Sequence, residues 1–379
     1  MRNQKKLLVF VAIALIAIIG VTVGAKKTGG PSPHKPLTAS LILPLSGPLS
    51  LPTKSFQDAA LLALEDLKAE SKSTNIALQW HDNAAKPSLS ATIAQQQQAS
   101  DADLFYIGYG AEFEAARPIL ADLKKPIFAF AFQASATKHP LTFRNIVSYK
   151  NEAPVFVQYA KARQAKKIAS IYHDLPDTNE EFRQLVIPEL IKAGVNEANL
   201  PQFAHPLMGT DFRTIAEKVK SFGPDLIIIS GFQNNLVPLI EALRTAGLVR
   251  DGNVIGTFAL IDLRSITSAE SLEGIAVAVP AFMLKPSQKA IDFSKRFTEK
   301  HKRFASFNEF AGYDFVLFLK DLADRLPPAP TASQTVDAIR QTKVEGVSGF
   351  LTFDAQGDVL YQTEVGIFRQ GKLAPLPNP

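Results

Sequence analysis

The 379-residue chain contains no cysteine, which removes disulfides, thiolate nucleophiles, cysteine-ligated metals and a lipid-modified N-terminal cysteine together. Its six histidines, His34, His81, His139, His173, His205 and His301, include no pair at helical spacing of the kind that ligates a metal. His81-Asp82 and His173-Asp174 are sequence neighbours, and neighbours on an extended chain point to opposite faces, so neither forms a catalytic dyad. A G-x-S-x-G elbow and a G-x-x-x-x-G-K phosphate loop are also missing, so the sequence offers no enzyme apparatus. After the first 25 residues no apolar run approaches membrane-spanning length, because runs such as Leu226 to Ile229 are short and bounded by glycine, proline or charge. The net positive charge is small too: three of its five units are Arg2, Lys5 and Lys6, so a nucleic-acid partner has no electrostatic support in the rest of the chain.

Those three basic residues introduce an apolar run from Leu7 to Val23 that ends in Val23-Gly24-Ala25, small residues suited to a signal peptidase. Residues 1–25 read as an export signal, with an uncleaved membrane anchor as the alternative because the run is long for a signal. Lys26 to Pro36 is rich in Gly, Pro and Lys and reads as a flexible tether. The remainder, within a chain 46% hydrophobic and 20% charged, is ordinary globular material with room for two lobes and two cores.

From Leu37 onward apolar strands alternate with amphipathic helices. Leu37 to Leu43 reads as a buried strand, and Phe56, Ala59, Ala60, Ala63, Leu64 and Leu67 fall on one helical face. The alternation continues with strands at 75–82, 103–107, 126–131, 167–172, 225–229 and 253–256 and helices at 89–98, 112–123, 180–193, 212–221 and 236–246. Such a pattern predicts an α/β fold of parallel sheets covered by helices, with ligands beyond the carboxyl ends of the strands. The loop Pro44 to Lys54, with Ser46-Gly47-Pro48, lies at one such end, although Ser-Gly-Pro turns also join strands to helices for steric reasons alone.

In order along the chain stand LPLSGPLS, HDNAAKP, YIGYGAEFEAARPIL, ASATKHPLTFRNI, KKIASIYHD, GTDFRTIAEKVKSFGPDLIIISG, LIEALRTAGL, FNEFAGYDFVLFL and VSGFLTFDAQGDV. From about Leu37 to the C-terminus this series resembles the type I periplasmic binding proteins, in particular the leucine/isoleucine/valine-binding branch of ABC-transporter solute receptors. The resemblance implies two Rossmann-like α/β lobes with parallel sheets joined by three crossover strands. Lobe one would be 37–149 plus 281–361 and lobe two 150–280 plus 362–379, with a ligand trapped as the lobes close on a hinge. It implies an exported, periplasmic, monomeric receptor without enzymatic activity or cofactor. Its partners would be a small organic ligand and an ABC permease in the inner membrane. The same fold also serves ligand sensors and regulators of envelope enzymes. A DNA-binding relative is excluded, since the export signal takes the place of a helix-turn-helix.

The resemblance also implies a site. Ser46 falls in the first ligand loop, and Ser135 and Thr137 match the stretch that binds a ligand carboxylate. Glu112 stands where a carboxylate-binding serine is usual, Phe258 where an acidic residue pairs with the ligand ammonium, and Phe232, Thr178 and Pro52 where tyrosines are common. Each has a plainer reading: Phe232 and Phe258 as core side chains, Glu112 as a helix cap. Phe258 disfavours a zwitterion, because a buried ammonium needs an acidic partner, and so an apolar carboxylate is the expected ligand. If Glu112 faces the cleft, it could receive an ammonium and restore amino-acid binding.

Overall fold

The computed structural model describes residues 35–376, apart from Pro48 and residues 71–74. The export signal and most of the tether lie outside the described residues. Regular structure begins at Leu37, where the apolar run LTASLIL forms β1 (Leu37–Leu43) with every residue buried, as expected of a strand covered on both faces. Helix α1 (Leu51–Ala69) follows, then β2 (Ile76–Asp82), α2 (Pro87–Gln97), β3 (Leu104–Gly108), α3 (Gly110–Ala121), β4 (Ile127–Phe130) and the short β5 (Thr142–Phe143). These strands form a five-stranded, wholly parallel sheet in the order β2-β1-β3-β4-β5.

The chain then enters α4 (Tyr149–Ala162) and builds a second sheet from β6 (Ile168–His173), β7 (Gln202–His205), β8 (Leu226–Ser230), β9 (Val254–Gly256) and β10 (Ala276–Pro280). Between these strands lie α5 (Pro176–Glu180), α6 (Ile187–Lys192), α7 (Arg213–Phe222), α8 (Gln233–Thr245) and α9 (Ala269–Leu272). Beyond β10, α10 (Ala281–Leu284), α11 (Gln288–His301), α12 (Phe307–Arg325), α13 (Ala332–Arg340) and the hairpin β11 (Val344–Glu345) with β12 (Phe350–Leu351) follow, and α12 packs along α1. Finally β13 (Thr363–Arg369) and β14 (Lys372–Pro375) add antiparallel strands to the second sheet, giving the order β14-β13-β10-β9-β8-β6-β7. The chain thus passes between the sheets three times, after β5, after β10 and before β13. Among the described residues no helix is long and apolar enough to cross a membrane.

The single helix anticipated at 180–193 is a correction. Pro176 starts α5 earlier, and the chain runs through a π-helical turn (Glu181–Val186) into α6. Pro188 has no N–H to return to the preceding turn, which explains why the regular ladder gives way just before it.

Lobe one has an aromatic core. Phe56, Tyr106, Phe128, Phe130 and Phe315 lie with neighbouring ring centroids 4.8–5.8 Å apart, mostly in tilted or edge-on pairs. A buried ion pair ties the first passage between sheets to the third: the Arg144 guanidinium donates to Asp358 Oδ1 from Nε at 2.8 Å and also to the Ala131 and Gln133 carbonyls. Arg144 N–H donates to the Gly357 carbonyl and Val359 N–H to the Arg144 carbonyl, both at 2.9 Å.

Candidate functional site

At the carboxyl ends of β4, β8 and β9 the two lobes meet across a narrow crevice. Phe132 follows β4, Ser230 ends β8 and leads through Gly231 to Phe232, and Thr257 and Phe258 follow β9. Pro52 of α1, Tyr149 of α4, Ala259 and the carboxylate-bearing Asp262 after β9, and Phe307 and Asn308 of α12 complete the rim. The rings interlock: Phe258 lies 5.2 Å from Phe132 and 4.8 Å edge-on from Phe307, and stacks on Tyr149 at 6.3 Å. Phe232 lies 6.3 Å from Tyr109 and 4.9 Å from His173, which burial beside His205 holds neutral, with a pKa lowered to about 3. The free space between the lobes is about 20 Å³. That is room for about one water, so an organic ligand needs the lobes to part or the rings to turn.

Two polar side chains lining this crevice have no hydrogen-bond partner among the described residues. Asn308 is 1% exposed, yet neither its carbonyl nor its amide nitrogen is hydrogen-bonded, and the Thr257 hydroxyl is equally alone. A buried amide left unpaired costs about 1–3 kcal/mol, so its retention calls for a function.

Beside the aromatic wall lies a cluster of acids. Glu152, one turn beyond Tyr149 on α4, accepts the Phe258 N–H on Oε2 at 2.8 Å. Its other oxygen and both oxygens of Glu181 find no N–H or O–H elsewhere among the described residues. Both residues are fully buried, and burial drives both carboxyl pKa values up. For Glu181 the repulsion of the neighbouring Glu152 adds to the burial that raises it. Asp177 is raised to about 6, chiefly by burial, with Glu180 and Glu112 adding repulsion. Burial, with added repulsion from these three carboxyls, pushes the Tyr149 phenol well up.

The structure distributes the residues singled out in the sequence unevenly. Phe232, Phe258 and Pro52 line the crevice. Ser46 is exposed in a turn and donates its backbone N–H to Asp82 at 3.2 Å. Glu112 caps its own helix, accepting the Tyr109 N–H at 3.1 Å. Thr178 is buried with its hydroxyl donated to the His173 carbonyl at 2.5 Å. Ser135 donates to Glu180 across the lobes at 2.9 Å, and Thr137 donates to Asp358 at 2.8 Å. Both hydroxyl protons expected at a ligand carboxylate are therefore engaged within the protein. Sequence reasoning missed Tyr149, Glu152, Glu181 and Asn308. The acidic run in DTNEEF and the polar residue inside FNEF were the available signals, but neither has a motif's spacing.

Comparison with known proteins places the geometry in a wider context. The family model described as "Periplasmic binding protein" matches residues 36–365. The chain is 22% identical over 329 residues to the leucine-, isoleucine-, valine-, threonine- and alanine-binding protein of Pseudomonas aeruginosa, covering 83% of this chain and 86% of that one. Among solved structures, LivJ of Streptococcus pneumoniae in complex with isoleucine superposes with a TM-score of 0.74 at 18% identity, covering 89% of this chain and 98% of that one. A solute-binding protein of Rhodopseudomonas palustris in complex with 3,4-dihydroxybenzoic acid gives 0.77 at 17% identity, with 91% and 99% covered.

Proposed function

This chain belongs to the periplasmic binding protein family, and we propose that it is an exported receptor that closes on a small apolar carboxylate and presents it to a membrane permease. The observation that carries this reading is the crevice at the strand ends, walled by Phe132, Phe232, Phe258 and Phe307 and supplied with two idle donors, Asn308 and Thr257. Aromatic walls suit a flat or branched apolar body, whose burial contributes about 25 cal/mol per Å² removed from water. The Asn308 amide and Thr257 hydroxyl can donate to a carboxylate, a role that the engaged hydroxyls of Ser135 and Thr137 leave open. Hydrogen bonds to a charged group contribute about 1.5–3 kcal/mol each. Isoleucine and 3,4-dihydroxybenzoic acid, the ligands of two structural neighbours, share this plan of apolar body and carboxylate.

Calorimetry with branched and aromatic carboxylates, with and without an α-amino group, tests the reading. At least one is expected to bind at micromolar concentration, and Asn308→Ala to weaken it ten-fold or more. Absence of binding by every compound, or an Asn308→Ala variant with full affinity, would overturn the assignment.

A further inference from the structure

Away from the crevice, lobe two carries a second and larger cavity of about 510 Å³. One wall is a single face of α4, where Val155, Gln158, Tyr159 and Ala162 recur at spacings of three and four. The other is the start of β13, Gln362 to Val365, with Lys285 beside it. The place in the fold matters: Lys285 stands where the chain leaves lobe two after α10, and Gln362 and Thr363 stand where it returns. Two ties hold these passages together. The Ala281 N–H donates to the Gln362 carbonyl at 2.8 Å, and the Lys285 ammonium donates to both Glu364 oxygens, at 3.0 and 2.8 Å. A volume of this size falls within the range of about 300–1,000 Å³ that holds small ligands, whereas the crevice has room for one water.

The lining selects by what it leaves unused. Lys285 and Glu364 neutralise each other, and the Tyr159 phenol donates to the Gly252 carbonyl at 2.6 Å, which accounts for every ionisable side chain that lines the cavity. Three neutral groups remain. The Gln158 and Gln362 amides make no side-chain hydrogen bond among the described residues, and the Thr363 hydroxyl is buried without a partner. An ionic ligand would shed water here and meet no free opposite charge, and a hydrocarbon would leave two amides and a hydroxyl unanswered. Amides that both donate and accept, set beside apolar Val155, Val365 and Leu376, match a molecule that carries hydroxyls along its edge and C–H groups on its face.

We propose that this cavity is a second binding site, for an uncharged polyhydroxylated compound of sugar size, held by Gln158, Gln362 and Thr363. It goes beyond the receptor reading and does not depend on what the crevice takes. An occupant that spans from α4 to the start of β13 also restrains the second and third passages, about which the lobes turn. The site is thus an effector site of the hinge, and its occupancy protects the Ala281 amide from exchange.

Amide NMR titration of the full chain at pH 7 with glucose, ribose and trehalose tests the site, with glucuronate and glucosamine as charged counterparts of glucose. At least one neutral sugar is expected to saturate at millimolar concentration, with shifts centred on Val155, Gln158, Gln362 and Val365. It is expected to bind ten-fold or more tighter than either charged compound and to slow exchange of the Ala281 amide. Gln158→Leu and, independently, Thr363→Val are expected to weaken it ten-fold or more, with amide spectra unchanged away from the cavity as the check that each variant is folded. The site is overturned if no neutral sugar saturates, if the charged compounds bind as well, if the shifts centre on Phe232 and Phe258, or if both folded variants keep full affinity. Saturation without slower Ala281 exchange overturns the effector role.

Discussion

Among the described residues, the buried charges on the lobe-one side of the crevice have protein partners, whereas on the lobe-two side two buried carboxyls have one backbone N–H between them from outside the pair. Arg144 meets Asp358, Glu309 meets Arg303 and the Ser306 hydroxyl, Asp314 accepts the Val347 and Ser348 N–H groups, and Glu112 caps α3. Glu152 and Glu181 receive a single backbone N–H between them from outside the pair. Burial of an ion costs several kcal/mol unless opposite charge and hydrogen bonds offset it. Lobe one offsets that cost with partners, although burial still raises the Asp314 carboxyl to about 6, whereas in lobe two the pair has a single backbone N–H from outside and burial raises both carboxyls.

The largest test breaks the satisfied side. Arg144→Met leaves Asp358 buried with only Lys150 and Thr137 to hold it. Equilibrium denaturation is expected to show a loss of about 3–5 kcal/mol, the usual result of removing one member of a buried pair. A loss under about 1 kcal/mol would mean that Asp358 is readily resolvated and that the two sides do not differ as described.

A middle-sized effect sharpens the unsatisfied side. The folded pKa values of Glu152 and Glu181 lie above their unfolded values, so their neutral forms favour the fold at low pH and that contribution is lost as pH rises through the folded pKa, about 8 for Glu152. The thermal midpoint is expected to fall between pH 5 and 8.5. Glu181→Gln is expected to flatten that slope and to raise the midpoint at pH 8.5 by about 2–4 °C, equivalent to roughly 1 kcal/mol. A slope identical to that of the parent chain would show that the burial of Glu181 is not linked to stability in this range.

The smallest test concerns Glu112, the carboxylate that approaches the acidic side from lobe one. Glu112→Ala removes a helix cap and should cost about 1 kcal/mol, while Asp177 loses a repelling neighbour and its pKa falls. Carboxyl NMR titration of Asp177 reads the second effect, and an unmoved Asp177 would show that the two groups are insulated from each other.

The strands were legible where apolar residues run together, as in β1 and β8, because both faces of a parallel strand are buried and burial writes itself into composition. β13 and β14 were not read, since both mix polar and apolar residues, β14 because it forms the sheet edge and β13 because it lies beside that edge and is only partly buried. The same limit governed the site. Phe232 and Phe258 could be located because they follow recognisable strands, but Glu152 and Glu181 stand 29 positions apart on different helical turns, and their meeting depends on how α4 packs against the π-helical segment. Thr137 was singled out from its local stretch, yet its partner Asp358 lies 221 residues away, and no local pattern announces that its hydroxyl is already engaged.

The side-by-side course of the first and third passages, joined at Arg144 and Asp358, has a mechanical consequence. Two strands sharing backbone hydrogen bonds in both directions form a ribbon that can bend or twist but not slide, because sliding would break the Gly357–Arg144 and Arg144–Val359 bonds and strip Asp358 from its guanidinium together. Any relative motion of the lobes that keeps this bridge intact must be a rotation about it rather than a translation along it.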